Sequence, residues 1–133
     1  MNETYPTPLV PISWGELIDK MVILEIKQLN IKSVSALFNI NKELSYLREI
    51  LKNNDGVAQV IMEFKQQLME VNKTLWQVED DIRSKESKQE FDNAFIDLAR
   101  NVYRLNDERA KLKKSINQTL RSELNEEKSY KEF

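Results

Sequence analysis

After Pro11 this chain has no proline, and past Gly15 its one remaining glycine is Gly56. Almost nothing downstream of the first few residues is built to stop a helix. Charged residues make up 32% of the chain, more than a globular average, and few breakers with high charge is a helical composition. Apolar residues also recur in steps of three and four, the period of one helix face. At 133 residues the chain is the size of one domain.

The three prolines Pro6, Pro8 and Pro11 predict an extended arm over residues 1–12, because each restricts itself and the residue before it. Ser13-Trp14-Gly15-Glu16 fits the capping-box pattern, with Ser13 as N-cap and Glu16 reaching back. The first helix is expected over 14–31. A second, over 35–52, carries Leu37, Ile40, Leu44, Leu47 and Leu51 and stops at the turn Asn53-Asn54-Asp55-Gly56. A third, over 57–83, repeats Val57, Val60 or Ile61, Phe64, Leu68, Val71, Leu75, Val78 and Ile82. A fourth, over 90–121, repeats Phe91, Phe95, Leu98, Val102, Leu105, Arg109, Leu112, Ile116 and Leu120. Both follow a heptad-like, coiled-coil spacing. The polar stretch 83–90 is the expected reversal, and 123–133 is a charged tail. The expected fold is all-α. It is a four-helix antiparallel bundle with a long hairpin of helices three and four. Helices that long outrun one small core, so a homodimer is expected.

Composition also restricts the chemistry. There is no cysteine and no histidine, which removes thiol nucleophiles, histidine bases and most zinc or iron sites. No metal site and no cofactor are expected. The 20 basic residues against 22 acidic ones leave no basic excess for a nucleic acid. The basic run Lys111, Lys113, Lys114 and Arg121 is followed closely by Glu123, Glu126 and Glu127. No apolar run reaches the length of a membrane span, and no signal peptide is visible, so the cytoplasm is expected.

Two charges fall where apolar residues belong. On a helical wheel Leu17, Ile18, Met21, Val22, Leu24 and Leu29 form one arc, and Glu25 lies inside it. Arg109 takes a seam position between Leu105 and Leu112. A lone buried charge is costly, so each needs a partner, and the two could serve each other. Such a pair would either set register or line a ligand cavity. Beside the seam, Asn72, Trp76, Glu79 and Arg83 share one side of helix three. Ala99, Tyr103, Asn106, Ala110 and Asn117 share one side of helix four. These stripes would contact helices one and two, or wall a pocket for an anion. The candidate ligand-binding set is therefore Glu25, Trp76, Glu79, Arg83, Arg100, Tyr103, Asn106 and Arg109. No catalytic residue can be assigned. Glu16-x-x-Asp19 and Glu79-Asp80-Asp81 are similar to magnesium-holding carboxylate patterns, but only Asp107-Glu108 offers a second pair.

Several motifs resemble an uncharacterised bacterial protein family, a domain of unknown function. They are Pro11-Ile12-Ser13-Trp14-Gly15-Glu16-Leu17-Ile18-Asp19-Lys20, then Leu75-Trp76-Gln77-Val78-Glu79-Asp80-Asp81-Ile82-Arg83. Ile23-Leu24-Glu25-Ile26-Lys27, Phe95-Ile96-Asp97-Leu98-Ala99-Arg100-Asn101-Val102-Tyr103, Asn106-Asp107-Glu108-Arg109-Ala110 and Glu126-Glu127-Lys128-Ser129-Tyr130 complete the set. The resemblance spans nearly the whole chain. It implies a process, since members are sometimes encoded beside glycosyltransferases and surface-polysaccharide genes, but it implies no catalytic residue. The functional expectation is a non-enzymatic, dimerising helical interaction or accessory protein, linked to surface-glycan assembly and able to bind a protein partner. The alternative is a binding protein or helical enzyme for a small anion such as a phosphate, sugar nucleotide or carboxylate.

Overall fold

Three of the described helices begin where a side-chain oxygen caps them. In the computed structural model, which describes residues 3–132, Ser13 accepts from the Glu16 amide at 3.1 Å and starts α1, Trp14–Asn30. Ser33 caps α2, Val34–Lys52, in the same way. Asp92 accepts from the Phe95 amide at 3.0 Å and starts α5, Asn93–Thr119. Each cap satisfies one of the orphan amides at a helix start. Between α2 and α5 lie a single turn, α3, Val57–Val60, and the long α4, Met62–Ser87. The described residues form an all-helical structure. From Glu3 to Ile12 every residue is exposed and non-helical, as the prolines require.

Three boundaries differ from the sequence expectation. The third helix is broken at Ile61, whose backbone (φ −97°, ψ 3°) leaves the helical region. The break turns Ile61 fully into the core and leaves Val60 in water. Either residue fits the three-four spacing, so the period could not choose between them. The hairpin reversal lies later, over residues 88–92, because polar residues such as Ser84–Ser87 are stable on a solvated helix face. Finally, α4 and α5 both close in Schellman motifs without glycine. Gln89 (φ 57°) and Arg121 (φ 53°) take the left-handed position. Glu90 N donates to Lys85 O at 3.0 Å, and Ser122 N to Asn117 O at 2.8 Å.

The helices pack around α1. It contacts α2 on one side and α4 and α5 on the other, while α4 and α5 lie against each other. α2 approaches only α1 and α3, so the contacts show an all-helical packing around α1 without establishing the expected four-helix antiparallel bundle. Leu17, Ile18, Met21, Val22, Leu24 and Ile26 are all buried, which covers most of the circumference of α1. A helix with so wide a buried apolar arc belongs between its neighbours, with Glu16, Lys20 and Lys27 on its remaining side. Leu29, expected in its arc, is 74% exposed, and Ile26 is buried instead. The core is completed by Ile40, Leu44 and Leu47 from α2, Ile61 and Leu68, and Ile116 from α5. Truncating any one of Leu44, Leu68 or Ile116 to alanine would cost about 2–5 kcal/mol.

Length explains what remains uncovered. At 1.5 Å per residue α4 and α5 span about 40 Å, whereas α1 spans about 25 Å. The hairpin therefore projects past its covering helix. From Glu79 to Leu112 no residue is buried. At the tip, Lys85 pairs with Glu90 (3.2 Å) and Asp92 (2.9 Å), and Phe91 meets Phe95 edge to face at 5.2 Å.

Candidate functional site

The site begins with one carboxylate. Gly15, Asp19, Val22 and Ile26 fall on one side of α1 by their spacing, and all are buried. Asp19 has no exposed surface. A carboxylate so placed must be fully hydrogen-bonded. Arg109 Nε donates to both its oxygens, at 2.9 and 3.0 Å, and Arg109 Nη2 donates to Oδ2. Asn72 Nδ2 donates to Oδ1 at 3.0 Å. The fork of a guanidinium matches a carboxylate, which makes this the strong form of an ion pair. Asp19 holds the Arg109 guanidinium above its usual pKa, although burial works the other way. Arg109 Nη1 reaches Asn106 Oδ1 at 3.4 Å.

The expected pairing of Glu25 with Arg109 does not occur. Glu25 faces Lys65 at 3.0 Å and Arg48 at 3.9 Å, between α2 and α4. Both carboxylates lie on the buried part of α1. Which one meets α5 is set by the rotation of α1 against the hairpin, a tertiary choice. The signal for Asp19 was its spacing of four from Gly15 and three from Val22.

A second ionic chain runs beside the first. Lys113, 7% exposed, holds Glu16 at 2.9 Å and Glu126 at 2.7 Å, and Lys128 holds Glu126 at 2.8 Å. Burial works to lower the Lys113 pKa, but Glu126 and Glu16 outweigh it and the net shift is upward. Lys113 first and Lys128 second lower the Glu126 carboxyl to about 2. Glu16 thus serves Lys113, and the reach back to the Ser13 amide expected of a capping box is not made. The amides at the start of α1 are met from α5 and its tail. Gly15 N donates to Asn117 Oδ1 at 2.7 Å and Trp14 N to Ser122 Oγ at 3.3 Å. A Cβ on Gly15 would lie 2.4 Å from the Lys113 carbonyl oxygen, so only glycine lets α1 and α5 approach this closely.

Two open grooves flank Arg109. The first, about 480 Å³, lies among α1, α4 and α5, and brings together Trp76, Glu79, Arg83, Asn106 and Arg109. The second, about 570 Å³, holds Tyr103 with Asn106 and Arg109, and is partly walled by Glu126, Lys128 and Tyr130 of the tail. Of the eight candidate residues, Glu25 and Arg100 line neither groove; Arg100 is exposed on α5. Asp19 and Lys113 were not among the candidates. Lys113 was masked by its neighbours Lys111 and Lys114, a run in which spacing cannot mark the buried member. The two polar stripes do contact α1 in part, through Asn72 and Asn117.

Chemically, Arg109 is neutralised from behind by Asp19, and Lys113 is held by two carboxylates. Neither offers an unscreened cation to a ligand. The paired acids Glu16 and Asp19 are committed to Lys113 and Arg109, and no group of three or more possible metal ligands exists among the described residues. No helix among those residues is long and apolar enough to cross a membrane. No curated protein and no solved structure matches this chain. A family model does match it, over residues 9–132, nearly the full length. The chain belongs to that family, a family of unknown function (DUF6165).

Proposed function

We propose that this protein is a non-enzymatic helical interaction module and works as a homodimer, the projecting ends of two α4–α5 hairpins packing side by side. One observation carries the reading: the hairpin keeps its heptad-like apolar seam where no third helix among the described residues buries it. Ile82, Phe95, Leu98, Val102 and Leu105 are only half-buried, and Phe91 and Ile96 are more than half exposed. Two helices alone cannot shield both sides of such a seam, whereas a second hairpin completes a four-helix bundle.

Charge favours a second copy as the occupant. The distal part of α4 carries Glu79, Asp80 and Asp81 ahead of Arg83 and Lys85, and the facing part of α5 carries the exposed Arg100 and Arg104 after Asp97, so each hairpin offers both signs to a second copy. A two-fold arrangement sets one copy's acidic stretch beside the other's basic one, and both contacts repeat by symmetry. The neutralised Arg109 weighs against the small-anion alternative. An accessory role in surface-glycan assembly, implied by the family resemblance, stays part of the proposal, with no residue assigned to it.

Sedimentation at micromolar concentration tests the reading. The full chain is expected to run as a dimer, and Ile96→Glu, an exposed change that leaves the core intact, as a folded monomer. A wild-type chain that stays monomeric over the whole concentration range overturns it.

A further inference from the structure

The groove among α1, α4 and α5 shares Glu79 and Asp80 with the acidic stretch of the proposed dimer surface, but has its own chemistry around Trp76. Trp76 packs one part of its ring on the core and lines the groove with the rest. Ile23, Ile26 and Leu75 continue that apolar wall. A half-covered indole in a recess is a platform for a flat ligand face that is apolar without being aromatic-specific.

Polar atoms stand beside this wall. Asn72 is 5% exposed and uses its Nδ2 on Asp19. Its Oδ1 has no protein partner. Among the described residues no buried side-chain polar atom is left unpaired, so this oxygen reaches solvent, and Asn72 lines the groove. Arg109 lines the same recess as well as the second groove, and its Nη1 is tied only by the 3.4 Å contact to Asn106. Acceptor and donor are fixed through the shared carboxylate of Asp19, so neither has to be ordered on binding.

Charge decides the ligand class. Arg109 is neutralised by Asp19, and Arg83 lies 3.7 Å from Glu79. Adding Asp80 on the rim gives three carboxylates against two guanidiniums. No net positive field draws an anion, and both guanidiniums are paired, which leaves Asp80 on the rim as the one carboxylate in excess. A ring with a C–H face and neighbouring hydroxyls, each able to donate and accept, suits the wall and the polar pair together. We propose that this groove is a binding site for a neutral saccharide, with Trp76 as the stacking platform and Asn72 and Arg109 as the hydroxyl partners. Its 480 Å³ lies within the roughly 300–1,000 Å³ of small-ligand pockets.

Saturation-transfer NMR on the full chain tests this, with methyl α-D-glucopyranoside, maltose and cellobiose as probes at millimolar concentration. At least one is expected to receive saturation and to shift the Trp76 indole N–H while leaving that of Trp14 in place. Trp76→Leu is expected to weaken binding about tenfold or more. Asn106→Ala, which loosens the free end of Arg109, should weaken it too and serves if Trp76→Leu does not fold. No transfer to any of the three sugars overturns the proposal. So does undiminished binding in the variants, or the same indole shift produced by inorganic phosphate or tetramethylammonium.

Discussion

Replacing Arg109 by methionine removes the main partner of a carboxylate that has no contact with water. Asp19 would keep only the Asn72 amide, at 3.0 Å. Breaking a buried pair by deleting one member typically costs about 3–5 kcal/mol, because the survivor is left charged and unpaired. An exposed pair costs about 0–1 kcal/mol. The Arg109 side chain is 27% exposed but its partner is at 0%, so the buried regime applies. A domain of this size has roughly 5–15 kcal/mol in total, and the variant should lose about a fifth of it or more. Urea unfolding followed by far-UV circular dichroism would read this as a lower midpoint at unchanged slope. The double variant Asp19→Leu with Arg109→Met removes both charges and should recover most of the loss, to within about 1–2 kcal/mol of the native chain. An Arg109→Met loss below about 1 kcal/mol would refute the burial argument. A double variant as damaged as the single one would refute the pairing argument.

Three further outcomes follow from the same geometry. Gly15→Ala should destabilise by about 1–3 kcal/mol despite the better helix propensity of alanine, because its Cβ would press on the Lys113 carbonyl; a more stable variant in urea would contradict the close approach. Glu126 has its pKa lowered from 4.5 to about 2, so its docking stabilises fully above pH 4.5 and is lost as pH falls from there toward 2. Amide protection factors, which remove the intrinsic pH dependence of exchange, should fall in residues 122–130 over that window in the native chain and be low throughout it in Glu126→Gln. Asp92→Ala should lower the thermal midpoint slightly through the lost N-cap of α5, and an unchanged midpoint would contradict the cap.

The sequence made the helices legible wherever a local rule was at work. Pro6, Pro8 and Pro11 marked the arm, Ser13 marked the start of α1, and Gly56 (φ +85°) marked the turn before α3. Helix ends without glycine escaped, because Gln89 and Arg121 adopt a conformation their side chains do not advertise. The candidate site was legible in kind but not in detail. Arg109 stood out because it interrupts an apolar seam. Its partner did not, since Asp19 and Glu25 both lie on the buried surface of α1 and only packing decides which of them faces α5. Trp76, Glu79, Arg83, Asn106 and Arg109 converged because i,i+3 and i,i+4 spacing on α4 and α5 aims them at one side of the hairpin. Arg100 has the same period but points outward, a rotation that sequence spacing leaves open.

The pairing of hairpins is tested most directly by a distance between copies. The chain has no cysteine, so a single engineered thiol can carry a spin label at one chosen place. Asp97→Cys puts it on the projecting part of α5, and Ser45→Cys puts it on α2, away from the hairpin. Pulsed dipolar spectroscopy should find a short inter-copy distance for the Asp97→Cys label and a long one or none for the Ser45→Cys label. Absence of coupling at both sites, or a short distance at Ser45→Cys alone, would contradict the account.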